Sequence, residues 1–270
     1  MNTKPAESTK PGREYPPPGH VLRRLYISLV PDEREPGVLY SSMPLTAELF
    51  VDGRYRLSAI ATMVDMAAGV MSVGITQPDW TATFDMATHR VGEAEPASTA
   101  EGVTRLVRAG KNIVVSETTV SSGGQVIAYV ETTYSRLPWR EGTLAAVGVD
   151  QPRHFGEGEE PLSAPLAETI GFFRGAPGVV EFDLRPLIRN STGSIQGGVS
   201  AMATEEAALH LAGPGSSLQL LHLYYLAADR SGPYRSTATA LQLTDRTATG
   251  RVHLSGQERV VVQGTFIAAR

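Results

Sequence analysis

The sequence predicts an α+β protein made of two copies of one unit, each a buried helix followed by a four-strand antiparallel meander. Three observations carry this. Residues 52–69 (DGRYRLSAIATMVDMAAG) and 192–209 (TGSIQGGVSAMATEEAAL) match at a constant offset of 140 residues, so that Gly53 falls on Gly193, Arg56 on Gln196, Ala61 on Ala201, Asp65 on Glu205 and Ala68 on Ala208. Each of these segments is apolar at helical spacing. Each leads into four strand-like runs separated by hairpin-length breaks, which implies antiparallel pairing and a curved sheet wrapped around the helix.

In the first half, Leu57, Ile60, Ala61, Val64, Ala68 and Met71 recur at i, i+3, i+4, i+7. The remaining positions are also mostly Ala, Met and Val, so the helix should be buried on nearly all sides. Strands are expected over Thr81–Val91, Ala97–Arg108, Lys111–Val120 and Gln125–Arg136, with turns at Ala109-Gly110 and Ser122-Gly123-Gly124. The second half repeats the order with Ser217–Ala227, Tyr234–Thr244, Ala248–Leu254 and Glu258–Ala268, broken at Ser231-Gly232-Pro233 and Ser255-Gly256-Gln257.

Residues 1–20 hold five prolines, several charges and no apolar core, and read as a mobile tail. The halves are then 21–137 and 162–270, joined by a Gly- and Pro-rich connector at 138–161. The most apolar stretch, 57–78, carries a central charge and runs directly into sheet-like sequence, so no membrane span is expected. A net charge of −4 over 270 residues offers no electrostatic reason for a nucleic-acid or anionic-membrane partner. Cysteine is absent, which removes disulfides, thiolate metal sites and a Cys nucleophile, and fits a cytoplasmic protein.

Asp65 is the sole charge between Arg56 and Asp79, inside the most apolar helix of its half. A carboxylate there is costly unless paired or solvated by a pocket. Two readings stand side by side: a general base or nucleophile with a shifted pKa, or a carboxylate that caps a loop or meets a buried hydroxyl. Glu205 and Glu206 are likewise the only charges from 190 through 228. Ahead of the second helix, Asn190 through Gly198 (NSTGSIQGG) places two glycines where backbone N–H groups stay approachable and the helix dipole favours negative charge. The segment reads either as an oxyanion site with Asn190 as a further donor or as an ordinary N-terminal turn. Arg105, Arg108 and Lys111 form a basic hairpin end that either meets a nucleotide phosphate or is a solvated turn. No G-x-S-x-G elbow and no G-x-G-x-x-G or G-x-x-x-x-G-K-[ST] loop is present, and the six histidines show no metal-ligand spacing.

The order N-x-x-G-x-x-Q-G-G followed by an acid at 205 resembles the hotdog-fold acyl-CoA thioesterases of the phenylacetate-degradation type, whose motif usually reads N-x-x-G-x-x-H-G-G. The strand Thr83-Phe84-Asp85-Met86 and the hairpins at Gly110 and Gly123-Gly124 are similar to the sheet of that family. The resemblance spans roughly 40–136 and 165–270 and implies two tandem hotdog domains. It also implies thioester hydrolysis without metal or organic cofactor, at a site between the units. One unit would supply an Asn and a Gly backbone donor for the carbonyl, the other a helix acid and a strand hydroxyl. Carried onto this chain, Asn190 and Gly197 match the donors in the second half, where the first half has Phe50 and Leu57. Asp65 and Thr83 match the acid and hydroxyl in the first half, where the second has Glu205 and Leu220. One composite site, Asp65, Thr83, Asn190 and Gly197, is therefore expected, with Gln196 in the usual His position. Gln196, Gly198, Glu205, Arg108 and Lys111 are expected around the substrate. The alternative is a non-catalytic acyl or acyl-CoA binding protein; a hydratase ranks last for want of the His. Pairs of such chains would form a homodimer through their sheets.

Overall fold

The structure, a computed structural model, describes residues 15–139 and 150–270. In chain order the elements are α1 (Val21–Arg24), β1 (Ser28–Pro31), β2 (Val38–Leu45), β3 (Phe50–Val51), β4 (Arg54–Tyr55), α2 (Leu57–Thr76), β5 (Trp80–Arg90), β6 (Ser98–Ala109), β7 (Ile113–Ser122), β8 (Gln125–Leu137) and β9 (Arg153–His154). They continue with α3 (Leu166–Ile170), β10 (Phe173–Arg174), β11 (Val179–Phe182), α4 (Gly197–Ala212), β12 (Ser217–Tyr225), β13 (Tyr234–Leu243), β14 (Thr247–Ser255) and β15 (Val260–Ala269). All eight expected strands form, within a few residues of their expected ends. The Thr- and Val-rich alternation that predicts them puts one side chain in two on the helix side of the sheet, as in β7, where Val114, Ser116, Thr118 and Val120 are buried.

Every strand except the short β3–β4 ribbon joins one sheet, in the order β10-β11-β13-β14-β15-β12-β5-β8-β7-β6-β2-β1-β9. The centre is the antiparallel pairing of β5 with β12, from Leu220↔His89 to Tyr224↔Asp85. Outward from that junction the connectivity is the same on both sides: β8, β7, β6, β2, β1 on one, β15, β14, β13, β11, β10 on the other. Two strands ahead of each helix thus extend the expected four. They are short or interrupted by Ser and Pro, and pairing onto β6 and β13 rather than local periodicity makes them strands.

Helix α2 packs on β2, β5, β6, β7 and β8, and α4 on β11 through β15, while the two helices also pack on each other. Length and composition would let α2 cross a membrane, yet most of it is buried inside the protein. Fully burying side chains such as Leu57, Ile60, Met63 and Val64 contributes about 1.5–3 kcal/mol each. The glycine shared by the two aligned segments has a backbone reason. Gly53 and Gly193 both adopt positive φ, 78° and 84°, in the turn that leads into each helix.

The expected tail ends earlier than residue 20. Tyr15 packs against the core and His20 is fully buried, while residues 1–14 lie outside the described residues. Of the expected connector at 138–161, residues 140–149 lie outside the described residues. The rest returns to the first half, where β9 pairs with β1 and the Glu159 carboxylate accepts from the Gly19 N–H at 3.1 Å. Apolar and ionic contacts that span more than a hundred residues order these two stretches, and composition cannot register them.

Candidate active site

Asp65 lies at the middle of α2, where the helix faces β5 and β8. Its Oδ1 accepts hydrogen bonds from the Thr83 hydroxyl at 2.8 Å and the Tyr134 hydroxyl at 3.2 Å, and Tyr134 also reaches the Asp65 backbone carbonyl at 3.0 Å. Its Oδ2 accepts from the Gln196 side-chain amide at 3.4 Å. Burial pushes the Asp65 pKa up, and the Thr83 and Tyr134 hydrogen bonds oppose that rise. Burial, with the Asp65 charge beside it, raises the Tyr134 pKa as well and keeps that phenol a donor.

The facing wall is the start of α4. Asn190 organises the approach: its Oδ1 accepts from Thr192 N, Thr192 Oγ1 and Ser194 N at 3.0, 2.8 and 3.0 Å. Its Nδ2 lies 3.4 Å from the Ile195 carbonyl, so much of this side chain is spent on the turn. Gln196 is the N-cap. Its Oε1 accepts from Val199 N at 2.9 Å, which orients the amide so that Nε2 is presented to Asp65. The Gly197 and Gly198 N–H groups, orphaned by their place in the first turn, have no hydrogen-bond partner among the described residues. Both glycines are demanded by close approach. A Cβ at Gly197 would stand 2.7 Å from Asp65 Oδ2, and one at Gly198 would stand 2.3 Å from Thr62 Oγ1 on α2.

Asp65, Thr83, Asn190, Gln196 and Gly197 all line one cleft of about 860 Å³. Its walls are otherwise mostly apolar, with Met66, Val70, Trp80, Phe84, Leu137 and Phe155 among them. The arrangement sets a carboxylate with a raised pKa opposite the unpaired Gly197 N–H in a mostly apolar cavity. It suits proton abstraction from a polarised water next to a carbonyl that gains negative charge.

The pseudo-equivalent place is filled rather than open. Glu205 Oε1 accepts from Leu57 N at 2.8 Å, its Oε2 accepts from Ser58 N at 3.4 Å and from the Ser58 hydroxyl, and Arg56 Nη1 lies 3.7 Å from Oε2. One methylene longer than Asp65, this side chain reaches the first turn of α2 and satisfies the two N–H groups that are free at α4. Glu205 is therefore a buried helix cap, apart from the expected substrate contacts. Arg108 and Lys111 sit exposed at the β6–β7 turn and do not line the cleft, and Gly198 serves the helix–helix contact. The strand register also corrects one equivalence. A bulge between Thr83 and Asp85 in β5 recurs between Leu218 and Leu220 in β12, so the counterpart of Thr83 is Leu218, not Leu220.

Three tyrosines of the cleft escaped the sequence reading: Tyr15, Tyr134 and Tyr225, the last donating to the Gly197 carbonyl at 3.2 Å. Tyr134 occupies an inward position of its strand, and that alternation was the one signal available. No cluster of three or more His, Asp or Glu able to hold a metal occurs among the described residues.

No family model and no curated relative matches the sequence. Among solved structures, the chain is similar to the tesB protein of Mycobacterium avium subs paratuberculosis, at 12% identity over 92% of this chain and 97% of that one, with TM-score 0.63. It is similar to an acyl-ACP thioesterase from Bacteroides thetaiotaomicron, at 12% identity over 86% and 98%, TM-score 0.59. A protein from Alicyclobacillus acidocaldarius described as having the hot dog fold aligns over 89% and 94% at 12% identity, TM-score 0.53. At these identities the likeness is one of fold: the chain has the hotdog fold.

Proposed function

We propose that this chain is an acyl thioester hydrolase, with acyl-CoA as the substrate class. It is built as two tandem hotdog units, 21–137 and 162–270, that arose by duplication, and it works in the cytoplasm. The observation that carries the reading is the Asp65 carboxylate, set between the Thr83 and Tyr134 hydroxyls and the open first turn of α4. The thioesterases among the structures of like fold agree with it.

In the proposed reaction the acyl chain lies along the apolar walls and the thioester carbonyl points at the Gly197 N–H group. A water held by Gln196 and Thr83 gives a proton to Asp65 as its oxygen attacks the carbonyl carbon. The oxyanion is held by the Gly197 N–H at the helix start, the C–S bond breaks, and the proton passes from Asp65 to the departing thiolate. A base whose pKa is raised toward neutrality is the stronger proton acceptor, which gives burial of Asp65 a purpose. Asp65 attacking directly would break the C–S bond and expel the thiolate to leave an anhydride, which water opens to the free acid and Asp65, its proton passing to the thiolate, with the same donor at work.

A panel of acyl-CoA thioesters of graded length, including arylacetyl ones, with thiol detection tests the reading. Asp65→Asn should lower kcat by about 10²–10⁴-fold while the protein stays folded. Full activity in that variant would remove Asp65 from the mechanism. Binding without turnover by the wild type would make the cleft a binding site alone.

A further inference from the structure

The segment before α1 brings a side chain to the cleft that the proposed reaction does not use. Of the three cleft tyrosines, Tyr134 donates to Asp65 and Tyr225 to the Gly197 carbonyl. The Tyr15 hydroxyl has no partner among the described residues, although its ring packs against the core and lines the cleft with Asp65 and Gly197. Burial first, and then the Asp65 charge, raise its pKa, so the phenol stays protonated with its O–H available.

Tyr15 is firmly held. Its ring meets the His20 imidazole edge-on, with centroids 5.4 Å apart. His20 Nε2 bonds the Arg189 carbonyl at 2.8 Å, next to Asn190, and its Nδ1 accepts from Leu22 N at 3.2 Å. Arg23 donates to the Pro16 carbonyl at 3.3 Å, and Gly19 N to Glu159. With its ring on His20 and the residues that follow it tied at Pro16 and Gly19, Tyr15 loses little further freedom when it takes a ligand, so its donor is preorganised.

We propose that Tyr15 is a substrate-contacting residue whose hydroxyl donates a hydrogen bond to the carbonyl oxygen of the bound acyl thioester, making the N-terminal segment a wall of the active site. The donor is neutral, it opens on an apolar cavity, and it shares that cavity with the proposed base. An oxygen acceptor is the partner it lacks. This rests on the thioester reading of the cleft.

The test compares the full-length wild type with Tyr15→Phe, which keeps the ring on His20 and removes only the hydroxyl. Two measurements are made: thiol release from acyl-CoA, and binding of a 2-oxoalkyl-CoA thioether, which retains the carbonyl but cannot be hydrolysed. The expected result is an unchanged melting temperature, kcat/KM lower by about tenfold or more, and binding of the ketone weakened by about tenfold. Activity and binding within about twofold of wild type would overturn the proposal, since a lost hydrogen bond must register in one of them. A wild type that binds the ketone without releasing thiol refutes the hydrolase reading alone, and the binding ratio then decides for Tyr15. A wild type that does neither overturns both.

Discussion

At the scale of single residues, Asp65 shows how burial and hydrogen bonding compete for one proton. Desolvation disfavours its charged form, and the Thr83 and Tyr134 hydroxyls restore part of the loss. Tyr134→Phe removes a donor to the carboxylate, so the Asp65 pKa should rise further. The base is active when ionised, so the acid limb of the kcat/KM–pH profile should move to higher pH, with activity at high pH recovered. The deleted bond to the Asp65 backbone should also cost about 1 kcal/mol in stability, readable by denaturant titration. An acid limb that stays in place would mean Tyr134 does not tune Asp65. The carboxylate itself was legible as a lone charge on an apolar helix. Its hydroxyl partners were less so: Thr83 came from a family resemblance, and Tyr134 needs the pairing of β5 with β8, which brings the two residues opposite each other.

At the scale of elements, the two long helices end differently although their sequences align. The first turn of α4 is capped by Gln196 and leaves Gly197 and Gly198 open, while that of α2 is closed by Glu205 reaching across from α4. Arg56 completes the closure by bonding Glu206 Oε2 at 2.8 Å, and Arg174 bonds the other oxygen of Glu206 at 2.7 Å from its Nε. Glu205→Ala should therefore cost about 3–5 kcal/mol, because it strands two helix N–H groups and leaves Arg56 buried with one partner fewer. Chemical denaturation measures this, and a loss below about 1 kcal/mol would show that water replaces the cap. Thr83 and Leu218 diverge in the same sense, with a hydroxyl kept on one side and lost on the other.

At the scale of the whole molecule, the continuous sheet through β5 and β12 sets one half's acid against the other half's helix start. The N-terminal segment adds a second tie between halves through His20, whose Nδ1 must be unprotonated to accept from Leu22. Burial lowers the His20 pKa from 6.5 to about 4. The unfolded chain then binds the extra proton first as pH falls, so this contribution is full above pH 6.5 and is lost on the way to about 4. The loss amounts to about 3 kcal/mol. His20→Gln keeps a donor and an acceptor but does not titrate. Its unfolding free energy should fall less than that of wild type over this range, and parallel curves would rule out His20 as the cause. Asp65 acts in the opposite sense but equally in both proteins, so it cancels.

By itself the sequence determined the periodic and the local: two apolar helices, eight strands with their hairpins, and the lone acids. Hydrophobic spacing and turn chemistry act within a few residues and leave their mark in composition. Tertiary structure decided which helix start stays open, which hydroxyls hold Asp65, and that Tyr15 belongs to the cleft. Each depends on groups far apart in the chain, brought within hydrogen-bond reach by strand register and by helices packed close enough that only glycine fits between them.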